Sequence, residues 1–172
     1  EKALKMIRKN KLKTVIPIMN ISMVITVCTL LQELLESQAA LPQDQVEPVF
    51  VFAMVWGLGG CLCSDKTAKH RKEFDSLWKS EFKTVKYPNQ GDLWDYYYDI
   101  SRKELVPWSQ KVPEYIPMGD TQFANIVVST VDTVRISFLT QCLVNRHMPV
   151  MFTGVAGSGK TTLAKEFLRN LD

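Results

Sequence analysis

The sequence predicts an α/β fold in three parts: a helical N-terminal region, an aromatic β-hairpin, and the incomplete opening of an α/β unit built around a phosphate-binding loop. Three observations carry this prediction. Residues 154–161 read Gly-Val-Ala-Gly-Ser-Gly-Lys-Thr and match G-x-x-x-x-G-K-[ST] without deviation. An apolar run, Pro149-Val150-Met151-Phe152, precedes that loop and an amphipathic segment follows it, the strand–loop–helix context the motif requires. Residues 87–117 hold four prolines and seven aromatics and so mark a boundary between the two flanking regions.

The 172 residues suffice for one domain or parts of two. A hydrophobic share of 46% against a charged share of 23% is ordinary for a globular protein and excludes wholesale disorder. A net charge of +3 is too small to indicate a nucleic-acid partner, although residues 1–13 carry six Lys or Arg against one Glu. That cluster reads as a solvated helix face rather than a nucleic-acid or anionic-membrane patch. The most apolar run, residues 49–63, is shorter than the roughly 18 residues of a membrane span, so no membrane partner is expected. Cys28, Cys61, Cys63 and Cys142 lack the paired spacing of a zinc site and read as reduced, mostly buried thiols. The opening residues do not resemble a signal peptide, and both ends read as mid-helix, so a piece of a longer chain is expected.

Residues 1–9 read as the end of a helix and 11–17 as a connector broken by Pro17. Met23, Val27, Leu30, Leu31, Leu34 and Leu35 recur near helical spacing and predict a helix over 21–37. Pro42 marks 39–47 as a loop. Residues 49–62 are predicted as a buried helix on length, with a strand as the rival because Val49-Phe50-Val51-Phe52 is β-rich. Phe74, Leu77, Trp78 and Phe82 form the stripe of an amphipathic helix over 64–82, with Ser64 or Asp65 as its cap. Residues 92–100 and 103–108 read as paired strands turned by Asp99-Ile100-Ser101-Arg102. Residues 124–128 read as a short strand, and Ser129 or Thr130 caps a helix to about Asn145 with Asp132 and Thr133 in its first turn. A second strand over 148–153 leads into the loop, and a helix starts at Lys160. The resulting division is 1–86, 87–121 and 122–172.

The chemistry of the loop explains its residues. Polyphosphate has to be wrapped by backbone N–H groups at close range, and side chains would block that approach. Glycine is therefore required at Gly154 and Gly159 and helps at Gly157. The helix that starts at Lys160 aims its N-terminal N–H groups and dipole at the phosphates. Lys160 adds a full charge near the β- and γ-phosphates, and the Thr161 hydroxyl is a ligand for Mg²⁺. Four fixed positions match by chance in under roughly 1% of chains this long. Hydrolysis also needs an acidic residue at the end of another strand. Only eleven residues follow Thr161, so the chain alone is expected to bind phosphate weakly and not to turn ATP over. No catalytic residue is assigned.

The other candidates read as structural. Trp94-Asp95-Tyr96-Tyr97-Tyr98 lacks basic interleaving and is read as a packing hairpin rather than a nucleic-acid stacking platform. His70 and His147 have no partners at ligand spacing and read as surface or helix-end residues. Arg135 is read equally as a surface ion pair or as a group that reaches a nucleotide or a neighbouring domain.

Three segments together resemble the dynein heavy chains, especially the axonemal ones. They are Phe50-Val51-Phe52-Ala53-Met54-Val55-Trp56-Gly57-Leu58-Gly59-Gly60; then Glu81-Phe82-Lys83-Thr84-Val85-Lys86-Tyr87-Pro88 with Asp95-Tyr96-Tyr97 and Pro107-Trp108; then Thr130-Val131-Asp132-Thr133-Val134-Arg135 with Pro149-Val150-Met151-Phe152-Thr153 and the loop. The resemblance implies passage from the second AAA+ module into the third. Residues 1–86 would be the helical small subdomain closing one module, 87–121 the connector, and 122–172 the start of the next large subdomain. It also implies a regulatory third nucleotide site with ATP or ADP and Mg²⁺. Gly154, Val155, Ala156, Gly157, Ser158, Gly159, Lys160, Thr161 and Thr162 would contact phosphate and metal, while Ile126, Val127 and Val128 would border the adenine. The implied partners are neighbouring AAA+ modules, microtubules, and dynein intermediate and light chains. The implied location is the cytoplasm and cytoskeleton of a cilium or flagellum, in the axoneme. A truncated P-loop NTPase or kinase of another family and a purely structural nucleotide site are the alternatives. The roughly 150 residues ahead of the loop disfavour a small kinase.

Overall fold

The computed structural model describes residues 21–36, 43–62, 69–115 and 127–171. The expectations for residues 1–17, for caps at Ser64 or Asp65, and for Ile126 lie outside these ranges.

Helix α1 (Ile21–Glu36) and helix α2 (Gln43–Gly57) form the first layer. Val27, Leu30 and Leu34 fall three and four residues apart and bury one face of α1. The buried residues of α2 run from Val49 through Val51, Phe52, Ala53, Met54 and Val55 with almost no polar break. A helix apolar on all sides needs neighbours on all sides, and here α1, the helix over His70–Glu81 and the hairpin supply them. That enclosure overrides the β propensity of Val49-Phe50-Val51-Phe52 and decides against the strand alternative. The loop expected over 39–47 is shorter than predicted, because α2 already starts at Gln43. Asp44 suits the positive end of the helix, and Pro48, the sixth residue, lies inside it and cannot donate to the Asp44 carbonyl.

Helix α3 (His70–Glu81) buries Phe74 and Trp78, whose rings stack 4.8 Å apart. Its buried Asp75 accepts a hydrogen bond from the Leu93 N–H at 2.9 Å and pairs with Lys79 at 2.9 Å. This contact explains a correction. Residues 92–95 were expected to be strand, yet Leu93–Asp95 form a 3-10 turn. The Leu93 donor that a ladder would use goes to Asp75, and the Asp92 N–H goes to the Asp95 carboxylate at 2.8 Å.

The hairpin itself is present but short. Strand β1 (Tyr96–Asp99) pairs antiparallel with β2 (Glu104–Pro107), with Tyr97 opposite Val106 and Tyr98 opposite Leu105. The Asp99 carboxylate accepts hydrogen bonds from the N–H groups of Ser101 and Arg102 and so forms the turn. Another 3-10 turn, Trp108–Lys111, follows Pro107 and places Trp108 in the interior. Trp108 lies 5.1 Å from Tyr97, 5.4 Å from Phe138, 6.1 Å from Trp56 and 6.3 Å from Phe52, ring centre to ring centre.

Helix α4 (Val131–Val144) starts at a reciprocal cap. The Thr130 hydroxyl accepts from the Thr133 N–H at 3.2 Å, and the Thr133 hydroxyl accepts from the Thr130 N–H at 2.8 Å. It ends in a Schellman turn, with Met148 N–H bonded to Leu143 C=O at 3.0 Å and His147 in the left-handed region at φ 56°. Helix α5 (Lys160–Arg169) follows the loop. Phe138, Leu139 and Cys142 carry α4 into the same apolar core as α1 and α2. Burial pushes the Cys142 thiol up to about 11, in keeping with an inert packed cysteine. The strand expected over 148–153 has no paired neighbour; the hairpin is the sheet formed among the described residues. A strand is defined by its ladder, and no described segment runs beside this one. No described helix is long and apolar enough to cross a membrane.

Gly57 sits at the crossing of α1 and α2, where a Cβ would stand 2.2 Å from Val27 Cγ2. Gly57→Ala is therefore expected to destabilise the chain by about 1–3 kcal/mol through overpacking, although alanine is the better helix former. A urea midpoint equal to or above the wild-type value would refute this packing argument.

Candidate functional site

The loop is a backbone device before it is a side-chain one. Gly157 and Gly159 hold φ of 77° and 78°, the left-handed region that side chains disfavour, and Gly159 is the residue from which α5 springs. No side chain caps that end of α5. The first N–H groups of the helix have no intrahelical acceptor, so they remain available to an anion. Helix α4 also opens toward this region, but there Thr130 and Thr133 take up two of the end N–H groups, their own. Of the two helix starts, that of α5 has no side-chain cap and is the more open to phosphate.

Lys160 supplies the charge. Its ammonium donates to Gly154 C=O at 3.0 Å, to Val155 C=O at 2.6 Å and to Ser158 Oγ at 3.2 Å. The lysine is thus held within the loop by neutral oxygens. A phosphate oxygen is the stronger acceptor, because its negative charge adds Coulombic attraction to the ammonium.

A cleft of about 780 Å³ lies beside the loop. The expected residues Val127, Val128, Ser158, Gly159, Lys160 and Thr162 line it together. Val127 is half-buried and Val128 exposed, so both bring apolar surface to the cleft. Gly154, Val155, Ala156, Gly157 and Thr161 are exposed on the loop and at the start of α5. Thr161 contributes one hydroxyl oxygen; among the described residues no cluster of three metal-ligating side chains occurs. That donor set fits Mg²⁺, which keeps most of its waters and takes one or two protein oxygens along with phosphate oxygens.

Sequence reasoning missed part of the wall. Asp132, Thr133, Ile136 and Ser137 of α4, with Glu166 of α5, also line the cleft. The signal was present in the one-turn spacing of Asp132, Thr133, Ile136 and Ser137 along a helix, but it could not show which face of α4 the core would claim. Arg135 turns the other way. It pairs with Asp132, donates to Trp94 C=O at 3.3 Å and lies 5.4 Å from the centre of the Trp56 ring. Of its expected roles, the ion pair is present, and the side chain reaches across to the hairpin and α2 rather than into the cleft. His70 sits near Glu73 at 3.8 Å on the exposed side of α3.

Comparisons with known proteins match the chain in two parts. Residues 1–110 match the family described as "Dynein heavy chain AAA lid domain", and residues 115–172 match "P-loop containing dynein motor region". The chain is 40% identical over 164 residues to a ciliary dynein beta chain of Heliocidaris crassispina, covering 94% of this chain and 4% of that protein. It is 39% identical over 167 residues to dynein axonemal heavy chain 9 of Homo sapiens, covering 95% of this chain and 4% of that protein. Identity to the flagellar outer arm dynein beta chain of Chlamydomonas reinhardtii is 36% over 171 residues, again 95% of this chain and 4% of the relative. The chain thus spans about 4% of the length of these curated relatives. A lid-domain match that takes in the helices and the aromatic hairpin, followed by a motor-region match that takes in the intact loop, means that this chain belongs to the dynein heavy chain family.

Proposed function

We propose that the chain contributes the phosphate-binding loop of the third AAA+ module in a microtubule motor of the ciliary or flagellar axoneme. The observation that carries this reading is the open start of α5, uncapped at Gly159 with the Lys160 ammonium beside it. ATP or ADP with Mg²⁺ is the ligand this arrangement suits. Backbone N–H groups of the loop and α5 would hold the phosphates, Lys160 would neutralise their charge, and the Thr161 hydroxyl would serve the metal. Val127 and Val128 would cover the base. Magnesium, when bound, would bridge phosphate oxygens and neutralise their charge. None of the residues described takes a catalytic role in this reading; the microtubule-dependent ATPase is the parent motor.

The same proposal divides the chain at 1–86, 87–121 and 122–172, with the first part closing the preceding module and the last opening the next. The names of the relatives, ciliary, axonemal and flagellar outer arm, support an axonemal location in the cytoskeleton. Neighbouring AAA+ modules, microtubules, and intermediate and light chains are the partners the parent would supply. The role proposed for the site is regulatory: its nucleotide biases release from the microtubule, for which a coupling of about 1–3 kcal/mol is sufficient.

Two outcomes test this reading. Lys160→Ala is expected to weaken Mg-ATP binding to the chain by about 10- to 100-fold, the worth of a charged hydrogen bond of ~1.5–3 kcal/mol. The fold should survive, since no residue of α5 is buried. Equal affinity in equilibrium dialysis would refute the assignment of the loop. In the whole motor the same substitution is expected to slow ATP-induced detachment from microtubules and gliding. Unchanged detachment and gliding, with binding lost, would make the nucleotide structural rather than regulatory.

A further inference from the structure

Helix α4 works on two sides. Thr133, Ile136 and Ser137 face the cleft, while Phe138, Leu139 and Cys142 pack into the core shared with α1 and α2. What fixes α4 along its own axis is polar. At its C-terminal end the Arg146 guanidinium pairs with Glu33 at 2.7 Å and Glu36 at 2.6 Å, and donates to Gln32 C=O at 3.1 Å. The neighbouring Asn145 amide donates to the other oxygen of Glu33 at 2.7 Å. Three residues of α1 therefore grip the turn that redirects the chain from α4 toward the loop. The grip is shielded on one side: the Glu33 and Arg146 side chains are 20% and 28% exposed, whereas Glu36 is 61% exposed.

Apolar contacts tolerate sliding, whereas a guanidinium shared between two carboxylates and a carbonyl fixes a register. The turn is also stiff, because Met148 N–H is bonded back to Leu143 C=O. Arg146 stands eight residues before Gly154, and Phe152 and Thr153 between them already line the cleft. Helix α4 thus links α1 to one wall of the cleft, and residues 148–153 connect the turn at its end to the loop.

We propose that Arg146 is a positioning residue for the nucleotide cleft, which sets the cleft width by locking the end of α4 onto Glu33 and Glu36 of α1. It touches no ligand and acts through α4 and the loop. Binding at Gly154–Thr162 and the placement of α1 are therefore linked in both directions. The inference rests on the nucleotide reading of the loop.

The test is hydrogen exchange of the loop peptide in the full heavy chain, titrated with Mg-ATP, which reads occupancy of this loop separately from any other site. Arg146→Met is expected to raise the Mg-ATP concentration for half-protection of residues 154–162 by at least about fivefold, the lower end of common coupling strengths. Glu33→Gln with Glu36→Gln should produce the same shift. All three substitutions together should do no more than either set, because partners of one interaction are not additive. Arg146→Lys, which keeps charge but loses the fork, should fall between. A shift under twofold for Arg146→Met, or additive shifts, overturns the proposal while leaving the nucleotide reading intact. A wild-type loop with no Mg-ATP-dependent protection overturns the nucleotide reading itself, and the positioning role with it. If Arg146→Met also loses protection over residues 49–58, the milder Glu36→Gln and Arg146→Lys are judged by the direction of the same shift.

Discussion

Phe138, Leu139 and Cys142 commit one face of α4 to the apolar core, and the placement of everything beyond it depends on that commitment. A hairpin of two four-residue strands is not stable alone; Leu34 of α1 and Val49 and Phe52 of α2 pack against it, and Phe138 joins the same cluster from α4. It meets Trp108 edge-on at 5.4 Å and Phe52 at 6.3 Å, while the Lys111 ammonium lies 4.6 Å from its ring centre. Aromatic pairs of this kind add roughly 0.5–1.5 kcal/mol each beyond burial. There is an opposing cost: the buried indole N–H groups of Trp56, Trp78, Trp94 and Trp108 have no hydrogen-bond partner among the described residues. Area and ring contacts, not polar pairing, hold this core together.

Stability and chemistry are accordingly separated. The deep residues lie in α1, α2, α3 and the hairpin region, while α5 has no buried residue and Met151, Val155 and Leu168 are among the most exposed apolar side chains. The loop follows from this: its N–H groups are open because no side chain caps them, and its glycines adopt angles that a packed core would not require. Binding segments drawn from the less protected end of a structure are a common arrangement, since they have to yield to a ligand.

Between these regions the polar contacts act as locators more than as a source of stability. Exposed ion pairs contribute little, roughly 0–1 kcal/mol, so the Arg135–Asp132 pair is not what keeps α4 in place. Its value is directional, because Arg135 also binds the Trp94 carbonyl and lies against Trp56. Asp75 does the same for α3 and the 3-10 turn at Leu93. In each case a partly buried charge holds a backbone group and thereby selects one register among several that apolar packing alone would accept.

The sequence by itself determined the loop, the helices and the existence of the hairpin. Gly154 to Thr161 could be read directly, because phosphate binding requires bare backbone and one lysine at one spacing. Thr130 and Thr133 also announced the start of α4, since a cap is a local hydrogen bond. Tertiary structure decided what depends on neighbours. Residues 92–95 form a turn rather than a strand because Asp75, eighteen residues before Leu93, takes the ladder donor. Residues 148–153 lack a partner strand among those described, and no local pattern can supply one. The cleft wall formed by Thr133, Ile136 and Ser137, and the grip of Glu33 and Glu36 on Arg146 more than a hundred residues away, are likewise absent from any short window of sequence. Local hydrogen bonds and backbone angles are encoded locally, whereas the choice of which face to bury is made only when distant segments compete for the same apolar surface.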